Sequence, residues 1–334
     1  GVNAGNSIAS GGNYNTVVGD EAGTAITTGD TNVAVGYQSL STEDTGRQSV
    51  AVGYQALAVQ NKDDTNLNTA VGYQAGLAIT TGVSNDIFGG SAGDALTTGS
   101  FNVALGRSSL SADTQGSTSV AVGHAALATQ NFTSATNSFN TAVGYSAGND
   151  VTTGINNTLI GGLAGDSLTD ADLNVAVGKG ALTTDTLGSG SVAIGTAALN
   201  KQRFTSATTT NNVAVGLEAG KEVTTGTLNT YVGSSAGKAS TTVSNNTAMG
   251  AFAFDAGTGA DNTAVGSGAL GGSSNSAANN VAVGKDAGNS ISTGAQNTFV
   301  GSLAGDGTDD GLGNTAMGFT ALSANAGNTN SAFG

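Results

Sequence analysis

The chain has 334 residues, 54 glycines, no cysteine, proline or tryptophan, and a formal net charge of −14. That charge excludes nucleic-acid binding by phosphate neutralisation and disfavours an anionic membrane surface as partner; without cysteine there is no disulfide scaffold and no thiolate metal site. No apolar run approaches the ~18 residues of a membrane-spanning helix, so no membrane insertion is expected of this segment.

From the N-terminus onward one stretch recurs in degenerate form, clearest at Asn68-Thr69-Ala70-Val71-Gly72-Tyr73-Gln74-Ala75-Gly76. With its central glycine as position 0, the register runs through Gly1, Gly19, Gly36, Gly53, Gly72, Gly89, Gly106, Gly123, Gly144 and Gly161. It continues through Gly178, Gly195, Gly216, Gly233, Gly250, Gly266, Gly284, Gly301, Gly318 and Gly334. A short fixed period marks a stacked-repeat architecture, in which each repeat buries a narrow apolar strip against its neighbours. Large apolar side chains are too few for a wide globular core, and Ala and Val suit a narrow one. Residues 1–334 therefore read as a single all-β, parallel solenoid domain of about 20 rungs. Both ends fall on register glycines, which points to a segment of a longer fibrous protein.

Within each rung the triplet Thr-Ala-Val or Val-Ala-Val before the glycine is β-branched and alternating, so a short strand is predicted there. A second short strand is predicted after the turn, as at Ala78-Ile79-Thr80-Thr81. Asn holds position −4 in all but three rungs, where Ser49, Ser119 and Ser191 replace it. Asn tolerates left-handed backbone and bonds to nearby amides, and stacked Asn side chains form ladders. At the strand spacing of ~4.8 Å the stack would be a rod on the order of 90 Å long.

Every fourth step is irregular, giving a super-repeat of four rungs that starts at Gly1, Gly72, Gly144, Gly216 and Gly284. The second rung of each carries a large residue at −2 (Val17, Ile87, Leu159, Tyr231, Phe299) and a small or short one at +1 (Asp20, Gly90, Gly162, Ser234, Ser302). Close-packed interiors conserve volume, so −2 and +1 of nearby rungs are expected to share one space. The inserted residues, Ala58 to Leu67, Ala128 to Phe139, Asn200 to Asn211 and Gly271 to Asn279, are expected to protrude about every 19 Å along one side. Their charged and aromatic residues, Lys62, Asp63, Phe132, Phe139, Lys201, Arg203 and Phe204, are the candidate partner-contact positions, toward a host glycan or receptor or toward a neighbouring subunit.

The rungs Ser49-Val50-Ala51-Val52-Gly53, Ser119-Val120-Ala121-Val122-Gly123 and Ser191-Val192-Ala193-Ile194-Gly195 resemble the head repeats of trimeric autotransporter adhesins. The longer form, Asn68 to Gly76 with Thr80-Thr81-Gly82, resembles repeats of phage tail-fibre and virion-fibre proteins. The likeness spans essentially the whole chain. It implies a left-handed parallel β-roll with two short strands per rung, assembled as a homotrimer on a virion or cell surface. Rungs of 17 to 21 residues exceed those of the adhesin heads. That leaves room for a three-sided rung able to stand as a monomer.

No catalytic constellation is present. His124 is the only histidine, and it has no partner in register for general-base or metal chemistry. No phosphate-loop motif occurs. Asp94, Asp166 and Asp306 recur at one rung phase, with Asp20 just off it, but aspartates ~19 Å apart cannot share a Ca²⁺ ion within one chain; cofactors are expected to be none, Ca²⁺ between chains being the weak alternative. Thr27, Thr80, Thr97, Thr152 and Thr224 open the alternative of an ice-binding threonine row. The expectation is thus a non-enzymatic extracellular fibre segment of a phage tail or virion that holds a receptor-binding tip, with contacts to other fibre proteins. A bacterial adhesin or extracellular filament subunit is the alternative, and an ice-binding solenoid the third reading.

Overall fold

The computed structural model describes residues 1–272 and 275–334. These form two units, Gly1–Ala171 and Asp172–Gly334, each a parallel β-solenoid without helices. The predicted insertion from Gly271 to Asn279 includes Ser273 and Ser274, which lie outside the described residues.

The first unit stacks nine three-residue strands, from Thr16–Val18 to Thr158–Ile160, each ending one residue before a register glycine. Neighbouring strands pair in parallel with −2 opposite −2, as in Ala51↔Ala70 and Ala70↔Ile87. The second unit repeats this with ten strands, from Val175–Val177 to Ser331–Phe333, again in register, as in Ala214↔Tyr231 and Tyr231↔Ala248.

The period-2 alternation of a strand divides the rung. Position −2 points inward and is buried (Ala34, Ala70, Ile87, Ala104), whereas −3 and −1 point outward. The register glycine is needed because the backbone is left-handed there and the next rung is close. At Gly72 φ is +143°, and a Cβ would lie 2.5 Å from the Gly89 carbonyl oxygen.

The second strand predicted in each rung is not formed. Ala78 to Thr81 are turn and bend, because Gly76 takes φ +59° and the Ile79 amide bonds back to its carbonyl at 3.1 Å. The ladder between rungs survives without strand geometry: the Thr80 amide donates to the Thr97 carbonyl at 2.9 Å. Among the described residues a second strand forms only where an inserted segment pairs with the rung before it, Thr136–Asn137 on Gly116–Ser117 in the first unit and Thr208–Thr209 on Gly188–Ser189 in the second.

Asn at −4 forms the expected ladder. Asn68 Oδ1 accepts from the backbone amide and the side-chain amide of Asn85, at 2.9 and 3.2 Å. Asn68 Nδ2 closes its own rung onto the Gly82 carbonyl at 2.8 Å. The left-handed residue, however, is its predecessor at −5 (Leu67 φ 53°, Ser84 φ 57°, Phe101 φ 61°), not the Asn.

The bulk exchange has a different partner from the one expected. Position −2 is inward and +1 outward, so the two share no space: Ile87 is fully buried while Tyr73 is 57% exposed. The large −2 residue instead fills the space left by glycine at +4. A Cβ on Gly76 or Gly93 would meet the Ile87 Cδ1 at 3.2 or 3.1 Å, and one on Gly148 or Gly165 would meet Leu159 at 2.6 or 2.7 Å. In the third and fourth rungs −2 is Ala and +4 is a buried Leu, as at Leu110 and Leu127. These leucines are left-handed (φ 51° and 48°), a strain of about 1 kcal/mol that burial of the side chain exceeds.

Candidate interaction surfaces

The inserted segments fold onto the stack, and the reason lies in one inward column. At +7 the first two rungs of a super-repeat carry apolar residues (Ile79 and Leu96), and the next two carry a buried acid followed by a buried glutamine: Glu43 with Gln60, Asp113 with Gln130, Asp185 with Gln202. Asp113 Oδ1 accepts from the amides of Gly116 and Phe132 at 2.9 and 3.1 Å, and Oδ2 from Gln130 Nε2 at 2.6 Å. Gln130 also donates to Ser119 Oγ at 2.8 Å and accepts from Asn140 Nδ2 at 2.9 Å. Asp185, Gln202, Ser191 and Asn212 repeat these bonds in the second unit. Glu43, Gln60, Ser49 and Asn68 do so at the first insertion, where burial pushes the Glu43 carboxyl up against hydrogen bonds that lower it. A buried acid that receives three or four such bonds is a staple, since its loss would strand buried donors.

The sequence reading missed these acids. The signal was present in the three serines at −4: each is the smaller residue that lets the glutamine amide in.

The candidate contact residues are thus dispersed. Phe132 and Phe204 are buried, 6% and 7% exposed, and each offers its amide to the acid of its staple. Lys62 is half-buried and also gives its amide to Glu43. Asp63 is exposed and accepts from the Thr45 hydroxyl. Lys201 and Arg203 are exposed; Lys201 pairs with Glu222 at 2.5 Å. Phe139 is 57% exposed and belongs to the sheet face, at −5 of the Gly144 rung, rather than to a projecting loop.

The acidic row is similarly spread. Asp94 and Asp166 in the first unit are half-buried carboxyls, and desolvation raises both, Asp166 to about 6. Among the described residues no group of three or more potential ligands gathers around a metal position, and no pocket is found. The threonines at the ice-face positions turn their hydroxyls to the scaffold: those of Thr80 and Thr97 donate to the Thr97 and Thr114 carbonyls at 3.2 and 2.8 Å.

What remains outward is the strand face. In the first unit its −3 and −1 columns are Val, Thr, Ile, Leu and Phe, with Asp86 the single charge. Val18, Phe88, Leu105 and Ile160 are 38–56% exposed. Two further columns flank the strand. At +1, Tyr37, Tyr54 and Tyr73 stack with centroids 5.2 Å apart, and His124 stacks on Tyr145 at 5.4 Å. Beside the first stack, Gln38, Gln55 and Gln74 form a side-chain ladder that ends on Glu21. At −5 stand Tyr14, Leu67, Phe101 and Phe139, all left-handed and 53–87% exposed. Left-handed backbone is shared at −5 by Thr31, Gln48, Ser84, Thr118 and Asn156, so what sets these four apart is a large apolar or aromatic side chain left half or more exposed. In the second unit the −3 and −1 columns carry no charge at all.

In comparison with known proteins, no family model and no curated protein matches this chain.

Proposed function

We propose that the chain is a non-enzymatic structural segment of an extracellular fibre, built as a homotrimer, whose work is to hold a receptor-binding tip away from a virion. The observation that carries this reading is the outward strand face. A chain of net charge −14 keeps a nearly charge-free apolar surface along every rung of the first unit, and exposed apolar surface of that extent marks an interaction site. Nine rungs at ~4.8 Å and seven residues at ~3.3 Å cover roughly 1,000 Å², enough for the ~800 Å² that one partner contributes to a standard stable interface. Copies of one acidic chain repel each other elsewhere, so the uncharged face is where they meet. Rungs held by ladders and staples, with no pocket among the described residues, suit a mechanical role.

Sedimentation equilibrium of the purified chain tests the reading. The expected mass is three times 32.0 kDa; a monomer at micromolar concentration would overturn it. Electron micrographs of the native particle then report whether the fibre belongs to a virion, as proposed, or to a cell surface.

A further inference from the structure

Glycine at +1 in the second rung of a super-repeat has no account in the backbone. Most glycines here are dictated by φ or by close neighbours, but Gly90 is not: a Cβ on it would meet nothing within 4 Å and its φ is not left-handed. At Gly162 the nearest atom is the Tyr145 carbonyl oxygen at 4.0 Å. A glycine that the fold does not require leaves an open, one-rung slot in the +1 column.

At Gly90 that slot is furnished with recognition groups. The column stacks rung on rung, since the Ser91 amide donates to the Tyr73 carbonyl at 2.8 Å and the Ser108 amide to the Gly90 carbonyl at 3.1 Å. Tyr73 and Arg107 therefore stand one rung to either side, ~10 Å apart. Tyr73 stacks on Tyr54 at 5.2 Å with an interplanar angle of 10°, so its second ring face is turned to the slot and bare. It is 57% exposed, against 39% and 44% for Tyr37 and Tyr54. Beside it the glutamine ladder ends, and the ladder has a direction. Gln38 Nε2 donates to Glu21 at 2.6 Å, Gln55 Nε2 to Gln38 Oε1 at 2.8 Å, and Gln74 Nε2 to Gln55 Oε1 at 3.0 Å. The amides are thus polarised from the Glu21 carboxylate, each bond strengthening the next acceptor. The series terminates in Gln74 Oε1, which has no partner among the described residues and, in the ladder's own pattern, faces the Gly90 rung. Across the slot the exposed Arg107 guanidinium has no partner among the described residues either.

A bare ring face, a polarised acceptor and a cationic donor around a layer one ring thick are the elements that recognise a sugar. The axial C–H face of a pyranose stacks on the aromatic ring, and its hydroxyls, which both donate and accept, meet the amide oxygen and the guanidinium. A planar aromatic ligand would use the ring face and leave the amide oxygen unpaired. We propose that the Gly90 slot binds a pyranose whose ring substituents are all equatorial, a shape thin enough to fill one missing rung. The site is complete within one chain and does not rest on the self-assembly reading. The Gly162 notch supplies an internal control. It has the ring face of Tyr145, which is 61% exposed, but Ser146 stands where the ladder would place a glutamine.

Saturation-transfer NMR on the full chain tests this, with methyl β-glucopyranoside as the probe and methyl α-mannopyranoside, whose 2-hydroxyl is axial, for comparison. Saturation should reach the glucoside, most strongly at the axial ring protons, and should exceed that of the mannoside. Y73A should weaken binding up to about tenfold, and Y73F should leave it unchanged, because the ring and not its hydroxyl makes the contact. Q74A and R107A should each weaken it about two- to tenfold. G90Y fills the slot and should abolish transfer, whereas G162Y should not. Far-ultraviolet spectra should be unaltered in all of these variants, so that a loss reports the site and not the fold. Transfer that survives Y73A or G90Y, equal transfer to the two glycosides, or transfer to neither would overturn the proposal.

Discussion

The two units share a scaffold and differ in what they place on it. Both keep the register glycine, the inward −2 residue, the Asn ladder and an acid–glutamine staple. The first unit adds stacked aromatics at +1 and bulky apolar residues at −5. In the second unit the +1 column reads Lys179, Thr196, Leu217, Ser234, Ala251, Ser267, Lys285, Ser302 and Phe319, and at −5 Leu173 and Leu228 stand among polar residues such as Asn211, Asn245, Asp261 and Asn279. The second unit's interior is the more varied one. Tyr231 and Phe299 fill its core. Where the first unit has an acid at +7, Gly257 stands against the Phe254 ring, and a Cβ there would lie 2.3 Å from it. Positions set by backbone closeness thus recur in both units, whereas positions facing water are free to specialise.

The largest expected effect tests that distinction with glycines. Gly72→Ala puts a methyl 2.5 Å from the next rung's carbonyl and should destabilise by more than about 4 kcal/mol in urea unfolding. Gly90→Ala, in open space, should stay within about 0.5 kcal/mol. Equal losses would undo the separation of scaffold from surface.

Next comes the staple. Asp113→Ala strands the amides of Gly116 and Phe132 and the Gln130 side chain, and should cost about 3 kcal/mol. Asp185→Ala should cost a similar amount in the second unit. Ala at Asp63, which faces solvent, should change stability by less than about 0.5 kcal/mol. Hydrogen exchange at the Phe132 and Phe204 amides localises each loss.

The smallest effects are those of pH, and their signs differ between the units. In the first, desolvation raises Asp166 to about 6 from 3.8. The native state therefore holds a proton that the unfolded chain releases, and stability from this group is lost as pH rises from about 4 through about 6. In the second, Lys221 and Lys238 lower Glu218 to about 2 from 4.5. Its contribution is present above about 4.5 and lost as pH falls toward 2. Asp166→Asn should flatten the first slope in a melting-temperature profile and Glu218→Gln the second; either variant leaving its slope unchanged contradicts the assignment.

How far these features could be read in the sequence follows from their physics. The rungs and strands were legible because glycine, Asn and the alternating triplet each answer a backbone demand repeated at every turn. The second strand was not, since Ala78-Ile79-Thr80-Thr81 has strand composition while the left-handed Gly76 before it starts a turn. Ile87, Gly90 and Gly93 vary together along the chain, and covariation alone does not say that Ile87 fills the space beside Gly93 rather than that of Gly90. Phe132 and Phe204 looked like exposed anchors because their burial depends on an acid 19 residues earlier in the chain, Asp113 and Asp185.

The central claim is that the inward columns make the fold and the outward columns make the assembly. Val52→Asp with Val71→Asp tests it most directly, since both side chains lie at −1 on the outward face and neither is in the buried core. Sedimentation equilibrium should show the wild-type multimer reduced to a chain of 32.0 kDa, with an unaltered far-ultraviolet spectrum. A variant that assembles as the wild type does would contradict the claim.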